Sequence, residues 1–467
     1  MRSVHLCWMA WLAPVAMASG PAIDPALASR IDADARQVLQ RTGTPGATLA
    51  VYRNGAAVYV HAYGLGDRER KTPATATTPY EIGSITKQFT AAAIVQLQEA
   101  GKLDVNATLA TYLPDAPHAK EVTLKQLLSH TSGMPEYLDG PDVEAWAVKP
   151  ATFEQIMARI KDRPLDFPPG SRWSYSNSGY VLLGRVIEVV SHETYGHYVK
   201  THLLAAAGME HTTTVADEAR VPGMAKGYRH TDGELEAAPT IHSTVGWAAG
   251  NLVSTVADLE RWNVALQGGK IVRPADYALM TTPAAGSTDY GLGLFVDTLD
   301  EQPRIGHTGG SFGFTTSNQY FPKQGIQIIA FTNAGDNPEP GQMLVTATFE
   351  ALYPDIAAIA RKPVAGENAA TTNAARKAFT RLQGKGDDLS MFDERLKVKM
   401  GAGLSERMAR QLSPYGEPSS FIYKGQRQDK EKNRVWNDYR IEFGPGNSLP
   451  FGVELDAAGK VAGISIG

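Results

Sequence analysis

The segment Glu81-Ile82-Gly83-Ser84-Ile85-Thr86-Lys87-Gln88-Phe89 constrains this chain most, because it sets a hydroxyl and an amine three residues apart where a buried helix begins. Residues at that spacing share a helix face. Downstream, Phe89, Ala92, Ala93, Ile94, Val95 and Leu97 are apolar on nearly every side, the pattern of a core helix, and Gly101 supplies its stop. A Ser opening a helix is ordinarily an N-cap, and a Lys one turn in ordinarily reaches solvent. Ser84, however, is the only Ser followed by Lys three residues later, and Lys87 stands among residues that read as buried. Burial lowers the pKa of an amine, and a neutral amine is what a general base must be. The positive end of the helix dipole at Ser84 would favour developing negative charge.

A chain of 467 residues is expected to hold two or three domains, and 43% apolar with 20% charged residues is a globular composition. The net charge of −4 and the lack of any Lys/Arg cluster argue against a nucleic-acid partner. Residues 1–18 carry one Arg, an apolar run from Leu6 to Ala16 and the small-x-small pattern Ala16-Met17-Ala18, which reads as a secretory signal. The run falls short of the roughly 20 apolar residues a membrane span requires, so no span is expected after signal removal. Cys7, the only Cys, lies inside this segment without a lipoprotein cleavage box before it. The mature chain would then carry no thiol, which excludes disulfides, Cys nucleophiles and thiolate metal sites and suits a periplasmic or secreted protein.

In chain order, a helical segment from Ala22 to Gln40 leads to Ala47–Val60, which alternates around Asn54-Gly55, a strong hairpin signal. Lys102 to Gly170 is helical and loop-rich. A polar loop through Tyr175 and Asn177 leads into a helix from Val181 to Val190, and another helix spans Val256 to Leu266. Strand-like segments follow at Ser317–Phe321 and Ile326–Asn333, joined by a turn at Lys323-Gln324-Gly325. Strands at both ends with helices between predict an α/β fold, an antiparallel sheet flanked by helices beside an α-rich lobe, with the site at their junction. Residues 23–355 would form this domain. Residues 356–375, rich in Ala, Asn, Thr, Pro and Gly, read as a linker. Residues 376–467 read as a small α+β domain of unassigned role, helical to Leu412 and then four short strands.

Three short motifs stand in order: Ser84-x-x-Lys87, Tyr175-Ser176-Asn177 and His307-Thr308-Gly309. Together, at a helix start, in a loop and on a strand, they resemble the penicillin-recognising serine hydrolases, namely class C β-lactamases, serine DD-peptidases, D-aminopeptidases and related esterases. The stretches Leu127–Gly133 and Tyr290-Gly291-Leu292-Gly293 also look like signatures of that family. The resemblance implies that Ser84 attacks a carbonyl to form an acyl-enzyme. Lys87 and Tyr175 would share the proton transfers, with pKa values lowered by each other and by burial or hydrogen bonding. Asn177 would hold the substrate amide, and the backbone N–H groups of Ser84 and Gly310 would form an oxyanion hole. Gly309 and Gly310 would let a strand edge approach the substrate closely, with Thr308 beside them.

The departure from the β-lactamase pattern is His307, where those enzymes carry Lys. A His is mostly uncharged near neutral pH, so anchoring of a substrate carboxylate is weakened, and the residue looks like that of certain DD-peptidases, D-aminopeptidases and esterases. His130 and Ser132 are explained equally well by a helix-ending turn. Two rival sites fail. Gly309-Gly310-Ser311-Phe312-Gly313 matches a lipase elbow, but no His follows it in the chain. His192, His197 and His202 recur every five residues, a spacing that turns an α-helix by about 140°, so they read as solvated residues and not as a metal site. The chain is thus expected to be an exported serine hydrolase without cofactor or metal, acting on a small molecule or a peptide such as a peptidoglycan fragment. A β-lactamase, and an inert homologue that binds peptidoglycan or a partner, are the alternatives.

Overall fold

The computed structural model describes residues 20–214, 221–335, 338–429 and 434–466. The signal-like segment 1–18 lies outside them. Among the described residues no single helix is long and apolar enough to cross a membrane.

A seven-stranded antiparallel sheet organises the larger domain. Its order is Thr72–Pro73, Ala56–Asp67, Gly46–Arg53, Ile326–Thr332, Phe314–Phe321, Gln302–Ser311 and Phe295–Leu299. The Asn54-Gly55 turn closes the first hairpin with both residues at positive φ, 50° and 79°. The two central strands are buried on both faces, and their side chains alternate between two cores, as the period of two along a strand requires. Leu49, Val51, Ile328 and Ala330 pack under the helices Pro25–Thr42 and Pro340–Leu352 together with Ile31, Val38, Leu344 and Phe349. Ala50, Tyr52, Ile329 and Phe331 face the α-rich lobe, whose axis is the helix Thr86–Glu99.

That helix is buried from Thr86 to Val95 and again at Leu97, as its all-round apolar sequence requires, and Gly101 ends it at φ 67°. Phe89 stacks on Trp262 of the helix Val256–Gln267 at 4.0 Å between ring centroids. The helix expected from Val181 begins earlier, at Asn177, and runs to Ser191. Asn177 is therefore the first residue of a helix rather than part of the loop. The backbone N–H of Asn177 donates to Glu136 Oε2, a carboxylate at a helix start that favours initiation there.

The segment read as a linker is mostly helical: Pro354–Ala360 and Ala369–Leu382 are helices, and only residues 361–368 connect them. Pro354 starts the first, and Asn368 caps the second by accepting from the N–H groups of Ala370 and Thr371. Composition hid an apolar stripe, Thr372, Ala375, Ala378, Phe379 and Leu382, which packs on a four-stranded antiparallel sheet of Ser420–Asp429, Arg434–Gly444, Asn447–Leu455 and Val461–Ile466. The C-terminal domain has its own core and meets the larger one through ions. Arg440 binds Asp300 Oδ1 at 2.6 Å, Glu350 Oε1 at 3.0 Å and Glu442 Oε1 at 2.6 Å. Arg361 reaches Glu350 and Glu442, each at 2.8 Å. Asp300 and Glu301 form the turn between Phe295–Leu299 and Gln302–Ser311, both at positive φ, so Arg440 clamps the hairpin whose second strand carries His307 to Gly310.

A buried polar layer separates the helix Val256–Gln267 from the sheet. Asn263 and Asn318 exchange hydrogen bonds at 2.9 and 3.0 Å, and Gln327 donates to Asn318. Beside them Glu260 is only 2% exposed, and burial pushes its carboxyl up to about 8, opposed by the Asn263 side chain. A carboxyl raised in the folded state contributes stability that is complete below its unfolded value, near 4.5, and is lost as pH rises through about 8. Thermal melts from about pH 5 to about pH 9 are expected to fall more steeply for the parent than for Glu260→Gln, with the variant melting several degrees higher at the alkaline end. Parallel curves would show that Glu260 is not protonated in the fold.

Candidate active site

Gly83–Ile85 forms a single 3₁₀ turn leading into the helix Thr86–Glu99, which sets Ser84 just ahead of the α-helical N-terminus. Gly83 sits at φ 50°, and a Cβ there would lie 2.8 Å from the Gly310 nitrogen. The motif strand thus runs directly alongside the nucleophile turn. Gly309 is required for a reason other than the expected one. A Cβ on it would strike the Ile82 carbonyl at 2.0 Å, so its bareness admits the protein's own backbone and not a substrate. At Gly310 a Cβ would meet nothing within 4 Å, and this residue lines the cleft.

Lys87 is completely buried. Its Nζ lies 3.0 Å from Ser84 Oγ, 2.8 Å from Asn177 Oδ1 and 2.7 Å from the Ala249 carbonyl. Burial lowers its pKa to about 7, with Glu136 pulling the other way. A neutral amine has two N–H groups and one lone pair. Asn177 Oδ1 and the Ala249 carbonyl oxygen can only accept, so in that form they take the two N–H groups and the lone pair faces the Ser84 hydroxyl. The Ala249 carbonyl is available because the helix Ser243–Gly250 breaks at Trp247, at φ 32° and ψ −127°. The break turns the Ala248 carbonyl to Thr90 Oγ1 at 2.7 Å and the Ala249 carbonyl to Lys87, one helical turn away. A non-glycine residue in such a conformation stores on the order of 1–3 kcal/mol, and the packing of Trp247 on Tyr195 at 5.6 Å holds it there.

The Tyr175 ring lies 4.8 Å from Lys87 Nζ, and its hydroxyl is buried beside Ser84. The expected lowering of its pKa is reversed. Burial pushes the phenol well above its ordinary range, and the influence of Ser84 in the opposite direction is smaller. Neutral Tyr175 is a proton donor in this state, not a base.

His307 is 1% exposed, and burial together with Lys87 drives its pKa down to about 3. Nδ1 faces the Thr308 carbonyl and must donate, so Nε2 accepts from Tyr290 Oη at 2.9 Å. Both ring nitrogens are therefore engaged, leaving no N–H for a substrate carboxylate. Thr308 pairs with Ser317 across the sheet. Asn177 lines the cleft, yet its Oδ1 is already committed to Lys87.

Two participants carry no motif. Glu136 accepts from the N–H groups of Leu138 and Asn177, and burial raises its carboxyl while those bonds and Lys87 oppose the rise. His130, set aside with Ser132 on sequence grounds, lies beneath Tyr175 with ring centroids 4.3 Å apart and accepts from the Ser176 N–H at 3.1 Å. Ser132 merely accepts from the Met134 N–H. The family-like stretch Leu127–Gly133, which contains His130 and ends three residues before Glu136, was the signal that could have drawn attention to both.

The cleft beside Ser84 encloses about 90 Å³ between Tyr137, Asn177, His242, Asn251 and Gly310. Two buried oxygens in its lining residues, Asn251 Oδ1 and Ser311 Oγ, have no partner. Ser311 ends a strand within a hairpin, unlike a strand-to-helix elbow, which removes the lipase reading a second time. His197 and His202, expected to diverge, both reach Glu193, at 3.5 and 3.0 Å, because a π-helical turn at Val199–Leu204 changes the helical phase. Among the described residues no group of three or more His, Cys, Asp or Glu could hold a metal.

A Ser–Lys pair at the head of a buried helix, bordered by a glycine-bearing sheet strand, is the arrangement of a serine hydrolase. Residues 31–353 match the Beta-lactamase family model, and the chain belongs to that family. It is 29% identical over 325 residues to penicillin-binding protein 4* of Bacillus subtilis, covering 66% of this chain and 72% of that one. A D-stereospecific amidohydrolase from Streptomyces sp. is 27% identical at a TM-score of 0.59, over 69% of this chain and 98% of its own. The octameric penicillin-binding protein homologue from Pyrococcus abyssi, 22% identical, shares the fold over 93% of this chain and 94% of its own at a TM-score of 0.63.

If Lys87 is the base, kcat/KM must rise with pH through an apparent pKa near 7, the value to which burial brings the amine. Removing the negative charge that favours the ammonium form, by Glu136→Gln, is expected to move this limb to lower pH. A limb that stays in place would show that Glu136 is uncharged across that range.

Proposed function

We propose that the protein is an exported serine amidase or peptidase of the D-aminopeptidase and DD-carboxypeptidase type, or a related esterase, which forms an acyl-enzyme on Ser84. The observation that carries this reading is the fully buried Lys87, its Nζ 3.0 Å from Ser84 Oγ and its pKa lowered by burial to about 7, so that a neutral fraction is available near neutral pH. Lys87 Nζ takes the hydroxyl proton as Oγ bonds to the substrate carbonyl carbon. The carbonyl oxygen becomes an oxyanion facing the backbone N–H groups of Ser84 and Gly310, each worth on the order of 3 kcal/mol in such sites. The C–N or C–O bond then breaks, and the leaving group takes the Tyr175 phenolic proton, which Lys87 restores. Water attacks the resulting ester by the same route in reverse. Thr308, Gly309 and His307 hold the strand that presents Gly310.

A neutral His307 with both nitrogens engaged offers no cation to a carboxylate-terminated substrate. This argues for amides and esters of D-amino acids ahead of β-lactams and, within the peptidase reading, for the aminopeptidase type ahead of the carboxypeptidase type, whose substrates end in a carboxylate. The unpartnered oxygens of Asn251 and Ser311 suit an acyl group with its own N–H donors, as a peptide or an amino-acid amide has. Peptidoglycan fragments fit that description, and likeness to a D-stereospecific amidohydrolase supports it.

The test is intact-mass spectrometry after incubation with penicillin G, a D-Ala-D-Ala peptide, a D-amino-acid amide and p-nitrophenyl acetate. Turnover or an adduct is expected with the amide and the ester, lost by about a thousandfold or more in Ser84→Ala. Silence with every substrate would make the chain an inert binding module, and rapid penicillin hydrolysis would make it a β-lactamase.

A further inference from the structure

The C-terminal domain contains a groove of about 670 Å³ that has no part in the Ser84 site. Its volume falls within the roughly 300–1,000 Å³ typical of small-molecule sites. One wall is helical: Leu396, Leu404, Met408 and Leu412 lie along a helix interrupted by a π-helical turn at Met400–Leu404, a device frequent at functional sites. The floor is the end of the sheet, where Trp436 and Ile464 are exposed to the groove. Gly463 makes that floor flat, since a Cβ on it would lie 2.9 Å from the Trp436 ring.

The charges around this apolar surface have one sign. Arg395, Lys399 and Arg434 line the groove and no carboxylate does. Arg434 has Glu454 behind it at 3.5 Å, and Arg395 has Asp393 at 4.0 Å while donating to the Ala462 carbonyl. Lys399 has neither an ion pair nor a hydrogen bond among the described residues. Arg395 and Lys399 are four residues apart on one helix and so share a face. A groove with apolar walls and cations at its edge, one of them uncompensated, is complementary to an apolar chain ending in an anion.

We propose that this groove binds a long-chain carboxylate, with the chain laid along Trp436 and the helical wall and the carboxylate beside Lys399 and Arg395. Neutral chains would lack the ionic contact, and short carboxylates would lack the apolar one. The C-terminal domain would then be a lipid-sensing or lipid-tethering module attached to the hydrolase, a role independent of the chemistry at Ser84.

Full-length protein titrated with the fluorescent fatty acid cis-parinaric acid, below its micelle concentration, tests this. Saturable binding at one site per chain is expected, displaced by oleate and displaced at least about fivefold less effectively by oleyl alcohol, which lacks the charge. Lys399→Glu should weaken parinarate by at least about fivefold. Leu404→Arg should abolish binding by placing a charge on the apolar wall, with thermal melts establishing that both variants fold. Failure to saturate, equal displacement by the alcohol, or unaltered affinity in Lys399→Glu would each overturn the proposal. So would sedimentation that shows the groove closed by a second copy of the chain.

Discussion

The burial of the Lys87 amine is the constraint on which the site depends. An amine buried to zero exposure resists its charge, and Glu136, the carboxylate that favours that charge, is itself raised by burial and held by two backbone N–H groups. The protein meets the amine with acceptors instead. Asn177 is placed by a helix start, and the Ala249 carbonyl by a helix break. Only when both are present does the lone pair have one direction left, toward Ser84. The strained backbone at Trp247 is therefore part of the geometry that positions the Lys87 amine against Ser84.

The glycines follow the same logic. Gly83 and Gly309 are bare because two backbone segments pass within contact distance, and that contact fixes the Gly310 nitrogen beside the nucleophile turn. Gly293 plays the matching part on the other side, where a Cβ would lie 2.8 Å from the Lys87 carbonyl. Tyr290, three residues earlier, holds His307. The family-like Tyr290–Gly293 stretch thus braces both the nucleophile helix and the motif strand.

That Ser84, Lys87, Tyr175, Asn177 and His307 lie together was legible in the sequence, because each belongs to a short motif whose spacing carries physical meaning. The hairpin at Asn54-Gly55 and the core helix were legible for the same reason: local turn chemistry and all-round apolarity. What escaped was non-local. A backbone carbonyl such as that of Ala249 has no residue signature, and Glu136 gains its role only from where the chain after Gly133 happens to pass. The sign of the Tyr175 shift depends on how deeply the phenol is enclosed, which spacing does not encode. The linker was misjudged because Ala and Thr are compositionally loop-like in company with Asn and Pro, while their burial comes from the sheet that follows. The phase of His197 and His202 was misjudged because a π-turn leaves no mark in periodicity.

The ionic seam between the domains makes the boundary in the chain different from the boundary in energy. Three carboxylates, Asp300, Glu350 and Glu442, share two guanidiniums there, and Asp300 is wholly enclosed with one oxygen unpartnered. Cutting at residues 361–368 would sever few backbone bonds. It would nevertheless take the Arg440 guanidinium away from Asp300 and Glu350 and open to water the seam beside the hairpin that leads to His307. The two domains, each with its own core, are thus coupled through shared charge at the hairpin that carries the motif strand.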